Sequence, residues 1–317
     1  MGVLTACGVV RRLIFRRSNR AAKSDGQGCK AAPPQLERNL ATGKVKELGD
    51  PQRLGGCVDL CPGPYAGAME AAIRDRPVLW HLAMSHYNEK VRWAFDYKRV
   101  PHVRRAVMPP AHALVAMRLG GRDTFPVMTV GESVYPDSTE IIAALEEMAP
   151  DPPLYPSDPA MRAEALELEE RFDMGIGRTV RQVGYQGVLA DPPVAIEMLS
   201  IGGPPSRRRA VAMIFPALAR GMRKRFRVPG PGDQGPLEEL EAEIDFIGRQ
   251  VGDSGFLVGD RFSVADLTAA SLLAPVVCAE EMPAGLPPFP EHLRELSGRL
   301  RDTPGGSWAR NIYLEYR

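Results

Sequence analysis

The stretch PVLWHLAMSHYNEKVRWAFDYK, residues 77–98, begins as an apolar run and continues with apolar and charged residues at helical spacing. This pattern predicts a strand that turns directly into an amphipathic helix. The stretch FPVMTVGESVYPDSTEIIAALEEM, residues 125–148, predicts a hairpin turning at Gly131-Glu132 and then a helix opened by Asp137-Ser138. The order of these elements predicts two helix N-termini in positions where they could hold a small anionic thiol.

The chain around these stretches changes character along its length. Residues 76–150 alternate strand and helix signals, with a further strand expected at 103–108, which describes a thioredoxin-like α/β domain. Residues 151–158 are rich in proline and predict a semi-rigid linker. Residues 159–317 lose the strand signals and predict an all-α domain. The helices expected in that domain span 161–183, 207–226, 236–251, 264–280 and 291–301.

The first 68 residues differ from the rest in charge. They carry 11 Lys+Arg against 5 Asp+Glu, whereas the other 249 residues carry 29 against 34. Residues 1–24 hold six basic residues and no acidic one, which is typical of an organelle transit peptide. No helical or strand periodicity of apolar residues is clear up to residue 75, which favours a disordered extension. A functional tail, or a misassigned start ahead of Met69, also fits this composition.

The overall composition excludes several classes of function. A net charge of +1 gives no argument for nucleic acid, and no apolar run approaches the roughly 18 residues of a membrane-spanning helix. Four of the five cysteines precede residue 62, which disfavours a disulfide framework and places the folded part in the cytoplasm, or in an organelle if the N-terminus is a transit peptide. The histidines show no metal-ligand spacing, so no metal site is expected.

Three segments, in this order and spacing, resemble the glutathione transferase superfamily. They are SHYNEKVRWAF (85–95), FPVMTVGESVYPDSTEI (125–141) and FLVGDRFSVADLTAA (256–270). The resemblance covers about residues 77–317 and suggests a Ser-type or divergent bacterial-like member. It implies a detoxifying enzyme with glutathione as co-substrate, no other cofactor, and a homodimer.

Ser85 ends the predicted turn between strand and helix. The first N–H groups of a helix lack internal partners and carry partial positive charge, so they favour a thiolate over a thiol. Lowering a thiol pKa by two units from about 8.5 corresponds to about 2.7 kcal/mol and makes the thiolate dominant at neutral pH. The resemblance makes Ser85 the catalytic hydroxyl. The alternatives are that Ser85 is only a helix cap, or that Tyr87 supplies a phenol instead.

The resemblance also implies a set of contacts to the thiol. In this set Pro126 follows a cis peptide bond, the Val127 backbone pairs with the cysteinyl part, and Ser138 binds the γ-glutamyl carboxylate with Asp137 near the amine. The residues expected to contact the thiol are Tyr87, Asn88, Pro126, Val127, Asp137 and Ser138.

The sequence also points away from redox chemistry. No cysteine lies between Cys61 and Cys278, so a mixed-disulfide mechanism lacks its nucleophile and thiol-disulfide reductase activity is disfavoured. The leading hypothesis is conjugation of glutathione to an apolar electrophile bound between the two domains. A non-catalytic binding scaffold with the same fold, or a relative using another thiol, remain alternatives.

The sequence at one helix start in the second domain predicts a structural role for two of its residues. Ser263 and Asp266 stand three residues apart, the spacing of a capping box, in which each side chain bonds a backbone N–H of the first turn. Such a cap typically contributes about 1 kcal/mol. We therefore expect a buried helix to begin at residue 264.

Overall fold

The structure is a computed structural model, and it describes residues 76–109, 111–120, 122–201, 204–282 and 287–317. The extension expected over residues 1–75, with its transit-peptide and tail alternatives, lies outside the described residues. None of the described helices is long and apolar enough to cross a membrane.

The first part of the described chain is a mixed sheet with helices packed on it. Its elements are β1 (Val78–His81), α1 (His86–Tyr97), β2 (Val103–Ala106), α2 (Ala111–Arg118), β3 (Val127–Val130), β4 (Ser133–Tyr135) and α3 (Ser138–Met148). The strand order is β2-β1-β3-β4, with β1 parallel to β2 and antiparallel to β3. This arrangement confirms the predicted thioredoxin-like domain.

The second part is entirely helical in the residues that the structure describes. Its elements are α4 (Pro159–Met174), α5 (Ile176–Val188), α6 (Pro192–Met198), α7 (Pro205–Arg225), α8 (Gly235–Gln250), α9 (Val264–Val277), α10 (Glu291–Arg301) and α11 (Pro304–Tyr316). Helix α9 lies at the centre and contacts α1, α4, α5, α10 and α11. The predicted all-α domain is confirmed, and α9 joins it to the thioredoxin-like domain through α1.

The sequence-based helix boundaries need two corrections. The single helix expected over 161–183 is split, because Gly175 has a non-helical backbone (φ −86°, ψ −80°) between α4 and α5. A Cβ atom added at Gly175 would lie 3.0 Å from the Arg171 carbonyl oxygen, so any side chain at this position would crowd the preceding turn. Helices α6 and α11 were not expected. Both begin with proline at the first turn, behind a cap formed by Asp191 or Thr303.

Helix α1 is buried on almost all sides, including its charged positions. Lys90 is fully buried and its Nζ lies 2.9 Å from Glu169 and 2.7 Å from Asp173, both on α4. Burying an ammonium group is costly unless carboxylates compensate it. These ion pairs therefore fix the register of the thioredoxin-like domain against the helical domain.

The predicted capping box is present at the start of α9. The Asp266 carboxylate accepts hydrogen bonds from the Ser263 N–H and hydroxyl and from the Leu257 N–H, each at 2.9 Å. Both residues of the box are buried. The box thus anchors the preceding loop as well as the helix.

Candidate active site

A cavity of about 950 Å³ lies between the two domains. Its walls combine the turn before α1, the peptide before β3 and the start of α3 with α5 and α7 of the helical domain. The thioredoxin-like wall includes Ser85, Phe125, Pro126, Asp137 and Ser138. The helical wall includes Val180, Arg181, Tyr185, Leu218, Met222 and Phe226. Polar groups are therefore concentrated on the first wall and apolar side chains on the second.

Ser85 occupies the N-cap position of α1, with an extended backbone (φ −85°, ψ 130°). Its side chain makes no capping hydrogen bond, although serine at this position commonly does. The residue is only partly buried and lines the cavity. Its hydroxyl is thus free to donate to a ligand beside the first N–H groups of α1. The alternative that Ser85 is merely a side-chain cap does not match this geometry.

Asn88 lies behind the cavity. It is fully buried, its Oδ1 accepts a hydrogen bond from the Leu82 N–H at 3.1 Å, and its Nδ2 donates to the Phe125 carbonyl at 3.2 Å. Both polar atoms of the amide are therefore bonded within the protein. The expectation that Asn88 contacts the thiol directly is corrected: the residue ties the turn before α1 to the peptide before β3.

Tyr87 is held by the helical domain. Its hydroxyl donates to the Asp173 carbonyl at 2.6 Å, and a Cβ atom added at Gly177 would lie 2.1 Å from that hydroxyl. Burial raises the pKa of Tyr87 to about 12. The alternative of a catalytic phenol is therefore disfavoured, while the ring of Tyr87 still lines the cavity.

His86 forms part of the same contact between domains. Its Nε2 lies 2.8 Å from the Gly177 carbonyl oxygen, so this nitrogen carries the proton that it donates. Burial, reinforced by the nearby Arg181, lowers the pKa of His86 to about 4. The imidazole is consequently neutral at physiological pH and contributes no charge to the turn at Ser85.

The peptide bond between Phe125 and Pro126 is cis, as the resemblance implied. Pro126 lines the same cavity as Ser85. Val127 begins β3 opposite Trp80, and its side chain is fully buried in the core. A pairing of the Val127 backbone with a bound cysteinyl group stays a prediction.

The start of α3 forms the second predicted anchor. Asp137 caps the helix by accepting a hydrogen bond from the Thr139 N–H at 3.0 Å. Ser138 is the first helical residue and is buried, and both residues line the cavity. The structure thus brings Ser85, Pro126, Asp137 and Ser138 to one cavity and places Asn88 behind it.

Asp173 lines the cavity but was not predicted from the sequence. Its Oδ2 accepts from Lys90 at 2.7 Å, whereas its Oδ1 is buried with no hydrogen-bond partner among the described residues. Burial raises the pKa of the Asp173 carboxyl, although Lys90 opposes the shift. Only the packing of α4 on α1 brings this residue to the site, so no local sequence motif could have indicated it.

Residues 79–153 match the family model described as the N-terminal domain of glutathione S-transferase. This domain belongs to the glutathione transferase superfamily. The match includes Ser85, Pro126 and Asp137-Ser138, so the family region contains the thioredoxin-like wall of the cavity.

Relatives and solved structures extend the similarity beyond this domain. FtsZ-localized protein A of Caulobacter vibrioides is 27% identical over 202 residues, which cover 62% of this chain and 75% of that protein. Glutathione S-transferase D7 of Drosophila melanogaster is 25% identical over 198 residues, covering 62% and 69%. A glutathione S-transferase of Ceriporiopsis subvermispora in complex with glutathione superposes with a TM-score of 0.53 at 18% identity, covering 76% and 98%. These comparisons establish the glutathione transferase fold.

No group of three or more histidine, cysteine, aspartate or glutamate side chains among the described residues is arranged to hold a metal ion. The cavity offers helix N-termini, hydroxyls and carboxylates to a ligand, together with the guanidinium groups of Arg122, Arg181 and Arg225.

Proposed function

We propose that the chain is a glutathione transferase that conjugates the thiol of glutathione to an apolar electrophile. The tripeptide would lie along the thioredoxin-like wall, with its sulfur at the start of α1 and its γ-glutamyl end at the start of α3. The electrophile would occupy the apolar space next to α5 and α7. The family of the N-terminal domain and the similarity to glutathione S-transferase D7 support this proposal.

The observation that carries the proposal is the unused hydroxyl of Ser85 at the rim of the cavity. An N-cap serine that makes no capping bond leaves both its hydroxyl and the first N–H groups of α1 to an external acceptor. A thiolate is such an acceptor, and the helix dipole adds partial positive charge at the same place. The geometry suits a sulfur anion better than a neutral ligand group.

In the proposed reaction, the thiol proton leaves to solvent and the sulfur is held as a thiolate by Ser85 and the helix N-terminus. The sulfur then attacks the electrophilic carbon, forming an S–C bond. In a substitution, the leaving group departs with its bonding electron pair. In an addition to an activated double bond, the π electrons take up a proton from solvent. The protein contributes positioning and electrostatic stabilisation.

The γ-glutamyl end carries an ammonium and a carboxylate, and the start of α3 offers partners for both. The N–H groups of α3 and the Ser138 hydroxyl suit the carboxylate. Asp137 and the unpartnered Oδ1 of Asp173 suit the ammonium. Asp173 thus extends the predicted set of binding residues.

The test combines binding and turnover in the full chain. We expect retention on immobilised glutathione and conjugation of 1-chloro-2,4-dinitrobenzene, with conjugation largely lost in Ser85→Ala. Ser307→Ala, an exposed serine of α11, is the control and should behave as wild type. Equal activity of Ser85→Ala and wild type would contradict the assigned role of Ser85.

A second candidate function is a binding scaffold without catalysis. The similarity to FtsZ-localized protein A favours it, because the name of that relative describes localisation with another protein. Retention on glutathione without turnover of any electrophile would support the scaffold. No retention at all would support a different thiol, which a thermal-shift panel of biological thiols would identify, because a ligand of the native state raises its melting temperature.

We also propose that the protein is a cytoplasmic homodimer. Large apolar side chains on β4, α3 and α4 are exposed, namely Val134, Met148, Met161 and Leu166. Such side chains are compatible with a buried subunit interface. The molar mass from light scattering tests the dimer, and a monomer at micromolar concentration would contradict it.

A further inference from the structure

Arg181, on α5, is a cation in the cavity wall that forms no salt bridge with any residue that the structure describes. Its guanidinium carbon lies 4.8 Å from the ring centre of Phe226 and 5.8 Å from that of Tyr87. Its Nε is buried with no hydrogen-bond partner among the described residues. Aromatic faces compensate part of the cost of burying a guanidinium, yet they leave its N–H donors unsatisfied.

Neighbouring arginines differ from Arg181 in this respect. Arg178, one turn earlier on α5, forms an ion pair with Glu239. Arg225 also lines the cavity, but it forms an ion pair in which its Nη2 lies 2.8 Å from Asp123 Oδ2. Arg122 also lines the cavity and is exposed to solvent. In the described part of the chain, Arg181 therefore combines partial burial, a place in the cavity wall and the absence of an ion-pair partner.

The position of Arg181 indicates which ligand group it meets. The thioredoxin-like wall already has its own positions for anions at the starts of α1 and α3. Arg181 belongs to the opposite wall, among Tyr185, Met222 and Phe226, where the apolar body of the co-substrate would lie. An anion at this place, beside the apolar space proposed for the electrophile, would belong to the co-substrate, since the thiolate and the γ-glutamyl carboxylate of the tripeptide have partners on the other wall.

We propose that Arg181 binds an anionic group of the electrophile, so that the cavity selects electrophiles with an apolar aromatic body and one carboxylate or sulfonate. This inference rests on the transferase function proposed above. The planar guanidinium presents paired N–H donors that match a carboxylate, and it stacks on aromatic rings at the same time. The residue is thus a specificity determinant, distinct from the sulfur-activating Ser85.

Two electrophiles that differ by one carboxylate provide the test. Both 2-chloro-1,3-dinitrobenzene and 4-chloro-3,5-dinitrobenzoate carry chlorine between two ortho nitro groups, and both react by forming an S–C bond and releasing chloride. In Arg181→Gln we expect kcat/KM for the benzoate to fall by roughly tenfold or more, the loss expected for a charged hydrogen bond, and by less than about threefold for the neutral compound. Arg178→Gln is the matched control on the same helix and should change neither value.

An equal loss on both electrophiles, or no loss on the benzoate, would overturn the proposal. Arg181→Lys keeps the charge without the planar fork and should retain part of the preference. If Arg181→Gln has a lowered melting temperature, kcat/KM of Arg181→Lys for the two electrophiles is compared with wild type instead.

A binding experiment without any thiol separates this inference from the transferase proposal. Fluorescence titration compares 8-anilinonaphthalene-1-sulfonate with its neutral analogue N-phenyl-1-naphthylamine. We expect Arg181→Gln to lower the affinity for the sulfonate by about tenfold and to leave the affinity for the neutral probe unchanged. If neither electrophile is turned over by wild type, the transferase proposal fails while this titration still judges Arg181. Equal affinity of wild type and variant for the sulfonate would overturn the inference.

Discussion

Ser85 and Ser263 both stand at the N-cap of a helix, yet the structure uses them differently. Ser263 is buried, and its hydroxyl and N–H both bond the carboxylate of Asp266. Ser85 makes no side-chain capping bond and lines the cavity. The first cap closes the end of its helix within the protein, whereas the second leaves its helix end open to a ligand.

The difference follows from what comes three residues later. Position 266 is an aspartate that reaches back to the cap, while the corresponding position after Ser85 is Asn88. The Asn88 amide is bonded to Leu82 and Phe125 instead. An N-cap serine whose partner residue is engaged elsewhere is thus a better candidate for ligand binding than one inside a capping box.

The largest effect is expected from removing the carboxylate of the closed cap. Asp266→Ala leaves the buried N–H groups of Ser263 and Leu257 without an acceptor, and each such group costs about 1–3 kcal/mol. We expect the free energy of unfolding to fall by about 3 kcal/mol in urea titrations. Asp158→Ala, at the exposed cap of α4, is the control and should cost about 1 kcal/mol. Similar losses in the two variants would show that burial does not raise the contribution of a cap to stability.

The open cap should show the opposite pattern. Because the Ser85 side chain makes no capping bond, Ser85→Ala should change the free energy of unfolding by less than about 0.5 kcal/mol. Removing a hydrogen bond to the thiolate should nevertheless lower kcat/KM for conjugation by on the order of 10²-fold, or about 2.7 kcal/mol. Urea titration and steady-state kinetics on the same preparation measure both quantities. A variant that loses stability and activity together would show that Ser85 acts as a structural cap.

Much of the fold could be predicted because its signals are local. The strand before α1, the hairpin at Gly131 and the capping box each depend on residues close in sequence. The break at Gly175 could not be predicted, since a glycine within a helical pattern is tolerated or not according to its neighbours. Helices α6 and α11 start at prolines, which occur in loops as well as in the first turn of a helix, so they do not indicate a helix by themselves.

The candidate site could be predicted only on its thioredoxin-like wall. Ser85, Pro126 and Asp137-Ser138 belong to recognisable strand-turn-helix patterns. Asp173 and Arg181 belong to helices whose own spacing shows nothing unusual. They reach the cavity because side chains of α1 bond to α4 and α5, through Lys90–Asp173 and His86–Gly177, and such long-range placement has no signature in the local sequence.

The closed cap should also respond to pH. Burial raises the pKa of Asp266 from its usual 3.8 to about 6, although hydrogen bonds from Leu257 and Ser263 oppose the shift. A carboxyl with a raised pKa binds its proton more tightly in the folded state, so its contribution to stability is largest at low pH and is lost as the pH rises through about 6. Asp266→Asn does not titrate in this range and serves as the reference. As the pH falls from 7 to 4.5, the free energy of unfolding of wild type should rise relative to that of Asp266→Asn by on the order of 1–2 kcal/mol. A difference that stays constant or shrinks toward low pH would contradict the raised pKa.

The smallest effect is expected from the serine of the closed cap itself. Ser263→Ala removes one hydroxyl but keeps the bonds from the Ser263 and Leu257 N–H groups to Asp266, so the free energy of unfolding should fall by only about 1 kcal/mol. Its conjugation rate per folded molecule should equal that of wild type, because α9 starts in the buried core behind α1. Ser263→Ala should therefore lose stability and keep its turnover, whereas Ser85→Ala should lose turnover and keep its stability. If Ser263→Ala lowers kcat/KM as much as Ser85→Ala does, the site depends on the packing of α9 against α1 more than on the hydroxyl at the open cap.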